Sequence, residues 1–216
     1  MSFFKKEQED VKVICPFVLG WLEKKLTDKE MEYLWRCIDN QKESYKNTLA
    51  GQIHESKKLI DRSDWFFSNT IRPLIDKYAT EFENLGSDVP INLTHPYYLN
   101  SWWVNYQKQG EFNPLHDHGG VYSFVIWMKI PTKHDEQNKI PISLESNSDL
   151  ISTFQFHFSN ILGQITSHSY KMNPEVEGTM LFFPSKLQHC VYPFFNCDED
   201  RISISGNISV NTTKLL

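Results

Sequence analysis

Three short stretches of this chain hold residues whose types and spacing could do chemistry together. The first is His116-Asp117-His118, at the end of GEFNPLHDHGG. Residues two apart on a strand face the same side, so both imidazoles would enter one cavity and Asp117 would point away from it. The second is His189, within LFFPSKLQHCVYPF, and the third is Arg201-Ile202-Ser203, where the same alternation puts a guanidinium and a hydroxyl on one face. Two imidazoles from one strand and a third from a distant one can hold one face of a metal ion. The remaining positions then stay open for oxygen and a chelating co-substrate. A guanidinium beside a hydroxyl is a receptor for a free carboxylate, because its planar fork binds two oxygens and the hydroxyl adds a third contact. Little more than a strand and a turn of chain separates His189 from Arg201, so the two could lie at one end of one barrel.

Each stretch alone is a weak signal. A solitary histidine such as His157 or His168 reads as a hydrogen-bonded strand residue, and His54 as an exposed loop residue. Tyr106, Trp103, Tyr122, Asn105 and Asn207 could border a co-substrate or simply pack. Of these we single out Tyr106.

The elements that must position these groups change character along the chain. From about residue 98 the sequence runs in short β-branched and aromatic stretches broken by Gly, Pro and Asn: YLNSWWVNYQ, GGVYSFVIWMKIP, STFQFHF, GTMLFFP, QHCVYPF and RISISGNISV. Many short strands in succession indicate a sandwich or barrel of antiparallel strands. The stretch TKHDEQNK (132–139) reads as a polar, exposed loop. Ahead of the strands, two helices stand out. Thr27 and Glu30 have capping-box spacing, and Met31, Leu34, Trp35 and Ile38 behind them make one apolar stripe. A second helix is expected from near Ser63, with Phe67, Ile71, Leu74, Ile75, Tyr78 and Phe82 on one face, Pro73 bending or delaying it, and Gly86 stopping it. Both helices read as packing on a sheet. Between them, NTLAGQIHESKKLID shows a turn at Gly51 and no evident chemistry.

Composition narrows the classes. With 216 residues, 40% hydrophobic and 14% aromatic, the chain suits one domain with a sizeable core: a helical extension over 1–97 on a β-core over 98–216. A net charge of −5 argues against non-specific binding to nucleic acid, which needs a basic surface, while leaving a local contact open. The four cysteines (Cys15, Cys37, Cys190, Cys197) form no CxxC pair, so a zinc ribbon or redox motif is not expected. No apolar run is long enough to span a membrane and the N-terminus lacks a signal-peptide pattern, which leads us to expect a cytoplasmic protein, or a host-cytoplasmic one if viral.

In the stretches NPLHDHGGVYSFVIWMKIP, EGTMLFFPSKLQHCVYPFF and DRISISGNI, in that order, the chain resembles the 2-oxoglutarate/iron(II) dioxygenase superfamily. Within it the likeness is to prolyl-4-hydroxylase-like oxygenases common in tailed bacterial viruses and marine bacteria. It covers roughly residues 98–210, with LAGQI a less specific match. The resemblance implies a double-stranded β-helix, of jelly-roll or cupin-like kind, flanked by two or more helices. It implies iron ligation by His116 and His189, and capture of the 2-oxoglutarate carboxylate by Arg201 with help from Ser203. Most of the superfamily has His-x-Asp, whereas here the third position is His118. Either three histidines hold the metal, or Asp117 reaches it through a bulge; strand alternation favours His118. The implied activity is hydroxylation of a protein side chain, prolyl first, or of a small molecule. Iron(II), 2-oxoglutarate and O2 take part, with ascorbate as accessory reductant. The competing readings are a cupin-like or structural β-sandwich module that holds a metal without turnover, and a three-histidine dioxygenase that needs no 2-oxoglutarate. Oligomeric state is left open.

Overall fold

Burial along a single strand reveals the layering. A computed structural model describes residues 19–41, 43–82 and 96–214. In it, Tyr122 to Met128 of strand β5 (Tyr122–Lys129) are all buried. A strand covered on both faces needs an apolar layer on each side. The even-numbered side chains Tyr122, Phe124, Ile126 and Met128 pack toward helices, while Val125 and Trp127 face a second sheet.

The larger sheet has six antiparallel strands in the order β1 (Leu22–Lys25), β8 (Thr179–Pro184), β5, β10 (Arg201–Val210), β3 (Tyr97–Gln107), β2 (Glu55–Lys58). The smaller runs β4 (Asn113–His116), β9 (Gln188–Val191), β6 (Thr153–Ser159), β7 (Ile165–Lys171), also antiparallel. The two sheets face each other across Val125, Trp127, Leu181 and Phe183 on one side and Phe154 and Phe156 on the other. This is the expected mainly-β double-stranded β-helix with helices on one face. The N-terminal segment does more than cover it, because β1 and β2 are the two edge strands of the larger sheet.

The first helix, α1 (Asp28–Asp39), begins as the sequence indicates. Glu30 donates its N–H to Thr27 Oγ1 at 3.3 Å, and Thr27 donates its own to Glu30 Oε2 at 2.8 Å. Leu34 and Ile38 are buried, with Met31 and Trp35 at the edge of the same core. The second starts later than Ser63. Ser63 and Asp64 take left-handed backbone angles (φ 57° and 50°), and Asp61 then accepts the N–H groups of Phe66 and Phe67 at 2.9 and 2.8 Å. A π turn over Phe67–Ile71 leads into α2 (Arg72–Glu81). The widening sits just ahead of Pro73, whose missing N–H deprives the carbonyl four residues back of its usual donor. Leu74, Ile75 and Tyr78 enter the core as expected; Gly86 lies outside the described residues. No helix among the described residues is long and apolar enough to cross a membrane.

One stretch departs from expectation. Thr132 to Lys139 is not an exposed loop but carries a short helix, α3 (His134–Gln137), with His134 wholly buried. Lys133, Asp135, Glu136 and Lys139 stay exposed, whereas His134 and Gln137 are buried and each finds a partner. Gln137 donates to Phe195 O at 2.9 Å and accepts from Phe195 N at 2.8 Å, and His134 Nε2 meets Asp149 O at 2.9 Å. A satisfied amide or imidazole tolerates burial, and polarity alone cannot show that in advance.

Candidate metal and co-substrate site

Three histidines converge between the sheets. His116 ends β4 directly opposite His189 in β9, and their rings lie 4.4 Å apart, centre to centre. His118 closes the group, with ring centres 4.9 Å from His116 and 5.0 Å from His189. One nitrogen from each ring falls within 4.8 Å of the others. The backbone sets which nitrogen that is. Nδ1 of His116 meets Pro114 O at 2.7 Å and Nδ1 of His189 meets Leu187 O at 2.9 Å. A carbonyl can only accept, so each Nδ1 carries the proton and each Nε2 offers a lone pair, the arrangement seen in metal-ligating histidines.

His118 arrives by a different route from the one alternation suggests. β4 ends at His116, so His118 sits on the following loop. There its N–H donates to Ser185 O at 2.9 Å, and Ser185 Oγ donates to Gly120 O at 2.7 Å. Gly120, at φ 95°, makes the sharp turn into β5. A Cβ there would meet Ile208 O at 2.6 Å, so no other residue fits. Asp117 is exposed and pairs with Lys186 at 3.1 Å, outside the histidine group. Burial, and then the neighbouring His116, push the His118 pKa down to about 4. Burial followed by His116 and His118 holds His189 well below the usual histidine range. Both are uncharged at neutral pH, the form that ligates a metal.

The triad opens onto a cavity of about 300 Å³ whose far wall is the larger sheet. Along β10, Arg201, Ser203, Ser205 and Asn207 line it; along β3, Trp103, Asn105 and Gln107 do. Arg201 is 2% exposed. Its Nη2 donates to Ser152 Oγ at 2.6 Å, and its Nη1 lies 3.4 Å from Tyr192 O and 3.5 Å from Gln107 Oε1. Nε has no partner, and the Phe194 ring lies 4.7 Å from the guanidinium. Burial without a balancing carboxylate lowers the Arg201 pKa to about 9. A buried cation facing a cavity with a free donor calls for an anion. The residues present therefore fit both a divalent metal and a carboxylate-bearing co-substrate.

Tyr106 is a correction. It faces the helical side of the sheet, where its ring lies 5.7 Å from Lys57 Nζ and its hydroxyl 3.5 Å from Gln41. Trp102 and Val104 already claim that face for the core, so the period of two assigns Tyr106 to it and Asn105 and Gln107 to the cavity. Tyr122 likewise turns to the helices, while Trp103 and Asn207 are on the cavity wall. The segment read as free of chemistry also contributes. Leu49, Ala50, Gly51 and Ile53 form part of the wall, joined by Tyr45 just ahead of the segment, and Gln52 N–H bonds Phe112 O at 2.9 Å. Gly51 touches Asn113 so closely that a Cβ would lie 2.1 Å from its Oδ1. Ser152, missed entirely, has φ 53° and anchors the arginine. No sequence pattern marks it, since it is set by the turn before β6. His54 is half-buried and pairs with Glu111 at 3.2 Å, away from the triad. Cys37, Cys190 and Cys197 are free thiols; Cys15 is outside the described residues.

Comparison with known proteins gives one match to a family. Residues 101–207, about half of the chain, match the model of a 2OG-Fe(II) oxygenase family. No curated protein matches. Among solved structures, the chain is similar to a Pseudomonas putida prolyl-4-hydroxylase, at 15% identity and TM-score 0.49, over 89% of this chain and 94% of that one. It is also similar to a viral collagen prolyl hydroxylase of Paramecium Bursaria Chlorella virus-1 in complex with 2-oxoglutarate (13%, TM-score 0.47, 87% and 94%). A third likeness is to a Trichoplax adhaerens prolyl hydroxylase bound to a hypoxia inducible factor peptide fragment (10%, TM-score 0.48, 88% and 83%). The matched residues 101–207 carry all three histidines, the buried arginine and most of both sheets, and through them the chain belongs to the 2OG-Fe(II) oxygenases.

Proposed function

We propose that this 2-oxoglutarate- and iron(II)-dependent oxygenase holds its metal on His116, His118 and His189 and receives the distal carboxylate of 2-oxoglutarate on Arg201, with Ser203 beside it. The reaction is hydroxylation of a C–H bond in a protein side chain, a prolyl residue first, or in a small molecule. One observation carries the reading: a buried arginine whose Nε has no partner lines the same cavity as three clustered histidines, two of which, His116 and His189, have their Nε2 lone pairs freed by backbone contacts at Nδ1.

Bound at the triad, iron(II) supplies the oxygen-activating chemistry of the family. The chain's own residues orient and exclude. Pro114 O and Leu187 O fix the rings of His116 and His189. Ser152 and Gln107 hold the guanidinium against β10 so that it cannot swing out of the cavity. Val125, Trp127 and Phe154 make an apolar wall that limits water around the reacting groups. A cupin-like module without turnover is disfavoured, because it would bear the cost of burying Arg201 with no anion to offset it.

The test has two arms. Purified protein given iron(II), ascorbate and a panel of prolyl peptides and small molecules should convert 2-oxoglutarate to succinate. His189→Ala should lose bound iron by elemental analysis. Iron retained by that variant would remove His189 from the site, and no turnover of 2-oxoglutarate under any condition would defeat the enzymatic reading.

A further inference from the structure

We infer that this site takes up its metal and 2-oxoglutarate as a charge-matched pair, the co-substrate supplying negative charge that the protein's own ligands lack. The inference rests on the site assignment proposed above and concerns how it is loaded. In a triad of two histidines and one carboxylate, the acid cancels part of the metal's charge. Here the three donors are imidazoles, which bind metals as neutral ligands. The adjacent acid, Asp117, is exposed at the edge of the cavity and engaged by Lys186. The one other formally charged residue on the cavity wall is Arg201, a cation.

A divalent metal therefore enters a small cavity that already holds a buried positive charge and no anion on its ligands. Mutual repulsion of like charges is strong where water is scarce, and the one acid on the wall, Asp117, is already engaged by Lys186. The dianion 2-oxoglutarate has one carboxylate for the guanidinium and another, beside its keto oxygen, for the metal. Each partner removes the electrostatic penalty on the other. Such coupling is reciprocal: whatever factor 2-oxoglutarate adds to metal affinity, the metal adds to 2-oxoglutarate affinity.

The experiment is calorimetric titration of Mn(II), a redox-stable stand-in, into full-length protein with and without saturating 2-oxoglutarate. The co-substrate should raise Mn(II) affinity by about thirtyfold or more, toward the upper part of the range for coupled sites. His118→Asp, or His118→Glu should the first fold poorly, returns a carboxylate to the triad. It should bind Mn(II) more tightly than wild type without 2-oxoglutarate and show enhancement below about fivefold when it is added. Asp117→Asn should leave both quantities unchanged. Equal Mn(II) affinity with and without 2-oxoglutarate in the wild type would overturn the inference while leaving the metal site intact. So would full wild-type enhancement in His118→Asp, or weakened Mn(II) binding in Asp117→Asn. Absence of Mn(II) binding under both conditions would instead defeat the site assignment itself.

Discussion

Replacing Arg201 by methionine separates its cost from its use. The guanidinium is buried, and loss of water alone lowers its pKa from the ordinary arginine range to about 9. At 1.36 kcal/mol per unit, that is about 5 kcal/mol of unfavourable burial. The sign follows from linkage. A base whose folded pKa is depressed binds fewer protons folded than unfolded only between its folded and unfolded values, so stability recovers as pH rises from about 9 toward the ordinary arginine range. At pH 7 the penalty is fully present. Methionine removes it and fills similar space, but strands the acceptors Ser152 Oγ, Gln107 Oε1 and Tyr192 O, each at about 1–3 kcal/mol if left unpaired. Two of those three contacts are 3.4 Å or longer, so the smaller figure applies to them. The ligand-free variant should therefore melt no lower than the wild type. Its response to ligand should differ sharply. Wild type with Mn(II) and 2-oxoglutarate at a hundred times Kd gains about 2.7 kcal/mol, or about 5–11 °C for a chain of this size. Arg201→Met should gain almost none from 2-oxoglutarate while still binding the metal. Scanning calorimetry on four samples decides it. A variant that melts many degrees lower yet keeps the 2-oxoglutarate shift would make Arg201 a structural cation and refute the reasoning.

Two further perturbations probe the scaffold. Gly51→Val forces a side chain against Asn113, so the wall segment from Tyr45 to Ile53 should lift from the cavity; limited proteolysis should then cut there faster at unchanged far-UV circular dichroism, and equal cleavage rates would refute the contact. For Glu30, burial alone would raise the carboxyl pKa, but Lys24, the Thr27 N–H, and the Thr70 and Thr27 hydroxyls together hold it below 4.5. Its stabilisation is thus present above pH 4.5 and lost as pH falls through the folded value. Glu30→Gln should melt about 3–10 °C lower at pH 7 and show a shallower decline on the acid side. A parallel pair of melting curves would show that the carboxylate contributes nothing.

The sequence announced the triad and the arginine because each is a charged or ligating residue in an otherwise apolar β-texture. It was silent where polarity and position conflict. Ser152 is one hydroxyl among many, and its role comes from a left-handed turn that brings it to a residue far along the chain. Gln107 and Asn105 were legible in principle: Trp102 and Val104 fix the core face of β3, and counting by two from them assigns the cavity face. Tyr106 is suggestive by residue type alone, and the same count puts it on the core face. His118 shows the reverse. Its side was anticipated from strand alternation, yet the strand stops at His116, and a loop held by Ser185 and turned by Gly120 carries the ring to the site. Edge strands β1 and β2 escaped notice because LEKK and ESKK are polar, as edge strands often are.

The site divides between the sheets in a way that makes its geometry a property of the core. His116 and His189 come from the smaller sheet; Arg201, Trp103 and Gln107 from the larger. Nothing covalent fixes the distance from triad to arginine. It is fixed by the side chains packed between the layers, among them Trp127 against Phe154, with ring centres 5.7 Å apart. Phe154 also stacks on His189 at 5.6 Å. One aromatic side chain thus spaces the sheets and steadies a histidine of the triad. Close packing transmits small changes in volume instead of absorbing them. On the site assignment proposed above, a co-substrate touching both the metal and the guanidinium would measure that spacing, which would make the inter-sheet core and the loading of the site one mechanical problem. The buried arginine completes the logic. Held in place without a counter-charge, it favours, on the proposed assignment, a molecule that brings a carboxylate to the larger sheet and a second donor group to the smaller.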